Sequence, residues 1–464
     1  MAVGDTIVAL STAAGAGAIG IVRMSGPEAV AIAAGVFRPV DGSDLAGSES
    51  HRVRYGHVLD PSNGRAVDEA LVLLMRAPAT YTREDVVEVH CHGGSAAQRA
   101  VLRLLIAQGA RPAEPGEFTK RAFLAGRIDL AQAESVAGLV RARSASALRA
   151  AMRQLEGGLS DRIRDLRSRM IQVLARLEVG IDFSDEDVDE VDRPQASAQL
   201  QEIERDLRGL LETALLGRAL EQGVRTAIVG RPNVGKSSLL NALLMRERAI
   251  VSEVPGTTRD TVEELAEIAG IPLHLVDTAG LRSSHDHLER LGIERSRRAV
   301  EQADLVLAVI DLSEGVTSAD EELLAGLPGG RVILVGNKCD LAPVSARARA
   351  GARAPGDLLG SPCAVSALTG EGLDLLRDAI QNAVVGDGGL HLEEPLLATE
   401  RQRLLAEEAV RGLESARRVL DAGLADELVC EDVRSSIQAL GSITGEDLMP
   451  DLLDEIFHRF CIGK

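Results

Sequence analysis

The chain has no tryptophan, two tyrosines and six phenylalanines in 464 residues, so aliphatic side chains must build its cores and stacked bases would find few aromatic platforms. Its five cysteines, Cys91, Cys339, Cys363, Cys430 and Cys461, stand far apart with no CxxC pair. That argues against a disulfide framework and a zinc site, and it fits a reducing compartment. Positive charge is also short. Lys and Arg number 51 against 70 Asp and Glu, a formal charge of −19, so nucleic acid is not held by the net field of this protein. An RNA substrate would need a local patch or a partner. No stretch reaches about 18 consecutive apolar residues, and Met1 to Gly17 has no basic n-region. We therefore expect no membrane association, no export and a cytoplasmic location.

Hydrophobic residues make up 45% of the chain, a globular share, and the length suits about three domains. Residues 1–120 read as a small α/β domain: short β-type runs (Thr6 to Leu10, Gly20 to Met24, Ala70 to Leu74, Asp85 to His90) and one helix from Ser95 to Gln108. Residues 121–220 turn helical. Leu155, Leu159, Ile163, Leu166, Met170, Leu174, Leu177 and Ile181 fall on one stripe of a long helix, and Leu200, Ile203, Leu207, Leu210 and Ala214 on a second. Between them the acidic run Ser184 to Glu190 reads as a solvated turn. Residues 221–383 alternate strand and helix, as a doubly wound α/β domain does, with strands at Thr226 to Val229, Leu273 to Val276, Leu305 to Ile310 and Val332 to Val335. Residues 384–464 return to helical periodicity. The expected architecture is a multidomain chain in which a P-loop domain is inserted into a discontinuous helical bundle.

Within the third segment, Gly230-Arg231-Pro232-Asn233-Val234-Gly235-Lys236-Ser237-Ser238 follows an apolar strand and opens a helix, as G-x-x-x-x-G-K-S requires. Backbone N–H groups would wrap the phosphates, Lys236 would supply a positive point charge, and the Ser237 hydroxyl would ligate Mg²⁺. Asn337-Lys338-Cys339-Asp340 selects the base: the Asp340 carboxylate can accept from guanine N1 and N2 but finds no matching donors on adenine. Ser366-Ala367-Leu368 stands where small GTPases close over the guanine. Asp277-Thr278-Ala279-Gly280 suits a turn sensing Mg²⁺ and the γ-phosphate, and Gly256-Thr257-Thr258-Arg259-Asp260 a first switch loop, with Thr258 as second Mg²⁺ ligand and Ser252-Glu253-Val254-Pro255 leading in. Where Ras-type enzymes carry a water-orienting Gln, this chain has Leu281, so another residue must orient the water.

A ribosome-assembly factor could carry the same GTP domain, and a third reading makes the helical bundle a dimerisation scaffold with a vestigial site. The flanks discriminate. Asp5 to Ala9, Gly20 to Pro27, Arg83 through Gly94, Pro115 to Leu124, Ile128 to Glu134, Ile181 to Phe183, the GTP motifs with Asp277 through Arg282, and Phe460 to Lys464 together resemble the MnmE (TrmE) family of tRNA-modification GTPases along nearly the whole chain. No basic appendage of the ribosome-factor kind stands beside the G domain.

The resemblance implies a homodimer through a folate-binding amino-terminal domain and G domains that meet when potassium and GTP are bound. It implies a heterotetramer with the flavoprotein MnmG (GidA), and aminomethyl or carboxymethylaminomethyl modification at C5 of the wobble uridine, U34, of tRNA. Arg23, Glu88, Arg127 and Lys464 match the family's positions for a tetrahydrofolate derivative, 5-formyl or 5,10-methylene. Asn233, with Ser252, Val254 and Thr257, matches its potassium site, and Glu289 its water-orienting catalytic residue. Arg23 and Arg127 suit the carboxylates of a folate tail, and Glu88 the donors of a pterin ring. Two local departures are Ala14 and Ala16, where relatives often carry Pro and Arg; at Arg127 a Lys also occurs. His90 and His92 share a strand with no third ligand nearby, which points to a structural role.

Overall fold

A computed structural model describes residues 4–13, 15–182, 192–246, 263–277, 299–327, 331–343, 362–386, 393–446 and 450–463. The acidic run Ser184 to Glu190 lies outside them. The chain forms two compact units, one of Met1–Ala137 with Leu440–Lys464 and the other of Gly138–Ala439.

In the first unit seven strands form one sheet: β1 (Ile7–Leu10), β2 (Ile19–Ser25), β3 (Phe37–Pro39), β4 (Arg52–Leu59), β5 (Ala66–Met75), β6 (Val86–His92) and β7 (Arg111–Pro112). Their order is β3-β4-β5-β6-β2-β1-β7, antiparallel except for β1 with β7. Side chains alternate between the faces along each strand. Val22, Met24, Val72, Leu74, Val87, Val89 and Cys91 are buried in one core with Ala29, Ile32, Ala33 and Val36 of helix α1 (Ala29–Val36) and Val101 and Leu105 of α2 (Ser95–Ala107). The opposite face carries two rows across the strands, Val53, Leu73, Glu88 and Arg23 in one and Tyr55, Leu71, His90 and Ile21 in the next. Val53, Tyr55 and Leu71 are exposed there.

The same unit holds α3 (Glu117–Leu124), the start of α4 (Leu130–Arg141) and, from the far end of the chain, the helix Pro450–His458. Phe457 and Phe460 pack with Ala122, Phe123, Ile128 and Leu130, so a carboxy-terminal segment completes an amino-terminal core.

The second unit contains α5 (Ala145–Leu155), α6 (Gly158–Asp182), α7 (Arg193–Glu212) and α8 (Ala214–Gln222). Leu159, Ile163, Leu166, Met170 and Leu177 form the buried stripe of α6. Leu155 belongs to the preceding helix instead, because Gly157, at φ 100°, breaks the chain between them. Ala214 likewise opens α8 rather than ending α7.

Next come β8 (Val224–Val229), α9 (Lys236–Arg246), β9 (Glu263–Ile268), β10 (Ile271–Asp277), β11 (Leu305–Asp311), α10 (Ser318–Ala325), β12 (Val332–Asn337), β13 (Cys363–Ala364) and α11 (Leu373–Val385). The sheet order is β13-β12-β11-β8-β10-β9, parallel except for the β9–β10 hairpin, whose turn places Ala269 and Gly270 at positive φ. Strand β8 lies between β10 and β11, where the winding reverses, and ligands of open α/β sheets bind beyond the strand carboxyl ends at such a point. Gly230, Asp277, Asp311 and Asn337 end or follow four neighbouring strands on that edge. Helices α12 (Glu400–Asp421) and α13 (Asp426–Thr444) follow, α12 packing along α7.

Candidate functional site

The turn after β8 is shaped by its glycines. A Cβ on Gly230 would stand 2.4 Å from the Val309 carbonyl oxygen, and one on Gly235 would stand 2.2 Å from Asn337 Nδ2; both residues have positive φ. The loop therefore approaches β11 and β12 more closely than a side chain permits. Asn233 also has positive φ, at 66°. Val234 plugs the apolar core from inside the loop, and Ser237 and Ser238 are exposed at the amino-terminal turn of α9, where N–H groups and the helix dipole favour anions. Lys236 Nζ donates to the carbonyls of Gly230 and Arg231, both at 2.8 Å, and so lies against the loop that would hold the phosphates.

The base side meets this loop through Asn337. Its buried amide donates to Val234 O at 2.8 Å and accepts from the Ala367 N–H at 3.0 Å, joining the phosphate loop to the Ser366-Ala367-Leu368 loop. Ser366 is buried, and its hydroxyl accepts from the Thr369 N–H, while Leu368 is exposed. Lys338 adopts a left-handed backbone, and its Nζ donates to Asp311 Oδ2 at 2.5 Å. Burial alone would raise the Asp311 carboxyl, but bonds from Lys338 and from the Ser313 hydroxyl and N–H outweigh it and hold the group below its ordinary value. Asp340 sits half-buried in the short 3-10 turn that follows.

Ser252, Glu253, Val254, Pro255, Gly256, Thr257, Thr258, Thr278, Ala279, Gly280 and Glu289 lie outside the described residues, as does Lys464; of Asp277 the backbone ends β10. Of the potassium and water-orienting residues that the family resemblance implies, only Asn233 is within the described structure.

In the first unit, Arg23 and Glu88 are paired across β2 and β6: Arg23 Nη2 is 2.7 Å from Glu88 Oε1, and Nε donates to the same oxygen at 2.8 Å. Glu88 Oε2 meets His90 Nε2 at 3.1 Å. Burial pushes the Glu88 carboxyl up, yet the Arg23 and His90 side chains bring it below its ordinary value. Arg23 Nη1 also donates to Gly463 O at 3.4 Å, which brings the carboxy-terminal tail to this pair. Gly463 has φ 92°, and a Cβ there would meet Leu10 O at 2.2 Å. Arg127 stands over the Tyr81 ring, 4.7 Å from its centroid, and both Arg127 and Arg23 act on the Tyr81 hydroxyl, whose pKa is nevertheless raised, chiefly by burial. His92 pairs with Asp68, and among the described residues no group of three or more His, Cys, Asp and Glu is placed to hold a metal.

A family model described as the MnmE helical domain matches residues 130–461, and one described as the GTP-binding protein TrmE N-terminus matches residues 6–127. The tRNA modification GTPase MnmE of Moorella thermoacetica is 48% identical over 99% of both chains. The chain belongs to the MnmE family. The protein of the same name from Geobacillus thermodenitrificans is 46% identical, again over 99% of both chains. Among solved structures, an Aquifex aeolicus Era variant bound to GDP and AlF4⁻ is 28% identical over 40% of this chain and 65% of that one, with a TM-score of 0.27.

As a member of the MnmE family the chain is a GTP hydrolase acting in tRNA modification. Several residues that support the candidate sites in the two units carry little or no signal along the sequence. Arg231, inside the phosphate motif, donates to Asp320 and Glu314. Asp311 supports Lys338, and Tyr81 supports Arg127. A carboxylate ending the strand before the guanine-motif strand was the one available hint for Asp311. The partnership of Arg231 with Asp320 is a tertiary contact between segments 89 positions apart.

Proposed function

We propose that this chain is the potassium-stimulated GTPase subunit of a complex that modifies C5 of the wobble uridine, U34, of tRNA, placing an aminomethyl or carboxymethylaminomethyl group with a folate-borne one-carbon unit. The observation that carries the reading is the Asn337 bridge, which ties a phosphate-type loop to a guanine-type loop at the sheet's switch point. Residues 233–238, 252–258, 277–280, 337, 338, 340 and 366–368 would hold GTP. Ser237, an exposed residue at the start of α9, would ligate Mg²⁺, with Thr258 as its second ligand. The positive-φ backbone of Asn233 leaves its side chain exposed beside the loop, consistent with potassium, and Ser252, Val254 and Thr257 would complete that site. Glu289 would orient the attacking water.

The donors of the first unit fit a folate. Arg23 and Arg127 offer guanidinium groups to carboxylates, and Glu88 offers an acceptor to ring N–H groups. Lys464 completes the set that the family resemblance implies. A bound 5-formyl or 5,10-methylene tetrahydrofolate supplies the carbon that is transferred. The exposed apolar rows of Val53, Tyr55 and Leu71 run across the strands to Glu88, His90 and Arg23, as expected if a second copy covers both the sheet face and the folate. This supports a homodimer through the 1–120 domain.

In this reading, helical segments 121–220 and 384–464 flank a GTPase domain at 221–383, and G-domain pairing on GTP drives the conformational cycle. A flavoprotein of the MnmG kind completes a heterotetramer and carries the redox step. No described helix is long and apolar enough to cross a membrane. The five free cysteines are consistent with a reducing compartment, and the location in this reading is cytoplasmic.

The test is mass spectrometry of nucleosides from bulk tRNA of cells with and without the gene. We expect loss of the C5-substituted wobble uridine, restored by the intact chain but not by Asp277→Ala. An unchanged nucleoside profile would overturn the reading.

A further inference from the structure

We propose that Arg231 and Asp320 are positioning residues for GTP: the connection between β11 and α10 braces the phosphate loop from outside, through side chains that need not touch the nucleotide. The inference rests on reading Gly230 to Ser238 as the phosphate loop. Arg231 Nε donates to Asp320 Oδ1 at 2.7 Å, and Nη2 reaches Glu314 Oε2 at 3.2 Å. The Asp320 side chain is 2% exposed.

Capping alone does not explain this carboxylate. Asp320 Oδ2 already closes a capping box at the start of α10, accepting from the Thr317 N–H at 3.0 Å and from the Thr317 hydroxyl at 2.8 Å. That leaves Oδ1 facing the guanidinium, in a charge-assisted bond largely shielded from water. Helix α10 thereby fixes the direction of Asp320, and Asp320 fixes the direction of Arg231.

What Arg231 fixes in turn is the loop. Its main-chain carbonyl is one of the two that Lys236 Nζ bonds, so the brace and the phosphate-binding lysine share a residue. Immediately downstream come Pro232, with its ring-locked φ, and Asn233 at φ 66°, in the left-handed region that asparagine tolerates better than other non-glycine residues, so the loop has few alternative backbone shapes. The other end of the same connection is anchored too: Asp311 takes the Lys338 ammonium on one oxygen and the Ser313 N–H and hydroxyl on the other. One connection thus grips the guanine motif at Lys338 and the phosphate motif at Arg231. Its contribution is preorganisation of the loop, which favours binding of ground state and transition state alike.

The experiment uses the full chain with Arg231→Met, Asp320→Asn, the double variant, Arg231→Lys and, as control, Lys236→Ala. Asparagine keeps an oxygen for the Thr317 cap but loses the charge that holds Arg231. Affinity is read with fluorescent GDP and GTP analogues, hydrolysis as KM and kcat, and folding by thermal melting. We expect each single variant to raise Kd and KM about tenfold with kcat within about twofold, the double to be no worse than the worse single, and Arg231→Lys to recover part of the loss. Additive losses would overturn the brace, as would a lowered melting temperature with unchanged affinity. Normal affinity in Arg231→Met while Lys236→Ala abolishes binding would also overturn it. Normal GTP binding by Lys236→Ala would instead overturn the phosphate-loop reading beneath it.

Discussion

Replacing Asn337 by alanine removes the amide that joins the two halves of the nucleotide site. The side chain is buried, donating to Val234 O at 2.8 Å and accepting from the Ala367 N–H at 3.0 Å, so alanine leaves a carbonyl and an N–H without these partners. A buried polar group left unsatisfied costs about 1–3 kcal/mol, which puts the pair at roughly 2–4 kcal/mol once water recovers part of the loss. The cost is read twice. Urea unfolding of the nucleotide-free chain should report the lost bridge as a lower midpoint at unchanged slope. Where nucleotide binding must first restore the loops, affinity should fall as well; about 1–2 kcal/mol spent in that way is roughly a five- to thirtyfold weaker Kd. Asn337→Asp is the informative companion, since it keeps an acceptor for Ala367 but sets an oxygen against Val234 O. It should lose as much as alanine or more. A stability within about 0.5 kcal/mol of the parent, together with unchanged GDP affinity in Asn337→Ala, would show that the loops are held without this bridge.

Further outcomes follow from the same geometry. Lys236→Ala removes the ammonium placed against the Gly230 and Arg231 carbonyls, and GTP turnover should fall by about a hundredfold or more; a parental rate in a phosphate-release assay would remove this loop from hydrolysis. Gly463→Ala must put a Cβ where Leu10 O stands 2.2 Å away, at φ 92°, and should loosen the tail at a cost of about 1–3 kcal/mol, seen as faster amide exchange of residues 461–463; unaltered exchange would refute the close approach. The Glu88 carboxyl is held below its ordinary value, so its contribution to stability is present above that value and lost as the pH falls through the lower one. Melting temperatures recorded from about pH 3 to 6 should therefore fall less steeply with acid in Glu88→Gln, and parallel curves would count against the pairing. Tyr81→Ala, but not Tyr81→Phe, should free Arg127 and weaken 5-formyltetrahydrofolate binding measured by calorimetry; equal effects of both would put the hydroxyl, not the ring, in charge.

Strands of the G domain were legible because a buried parallel strand is a continuous apolar run: Leu305–Asp311 is buried along its whole length. The partner strand Glu263–Ile268 is not legible in the same way, since an edge strand of alternating character gives little local signal. Helix ends were harder still. Periodicity carries the stripe of α6 back to Leu155, but only the backbone at Gly157 separates two helices there.

By itself the sequence determined which chemistry the chain carries, because a phosphate loop and a guanine motif are local: consecutive residues supply the glycines, the lysine and the carboxylate that the ligand demands. Tertiary structure alone decided what supports them. Asn337 reaches Val234 and Asp320 reaches Arg231, across separations of 103 and 89 residues; in the first unit, Gly463 likewise comes to Arg23 across 440. No propensity or period encodes such partners, since a buried amide or carboxylate is satisfied by whatever the fold brings beside it. The placement of Phe457 and Phe460 in the amino-terminal unit is of the same kind. Phe457 lies on the last helix and Phe460 just beyond its end, and packing chose the core that both joined.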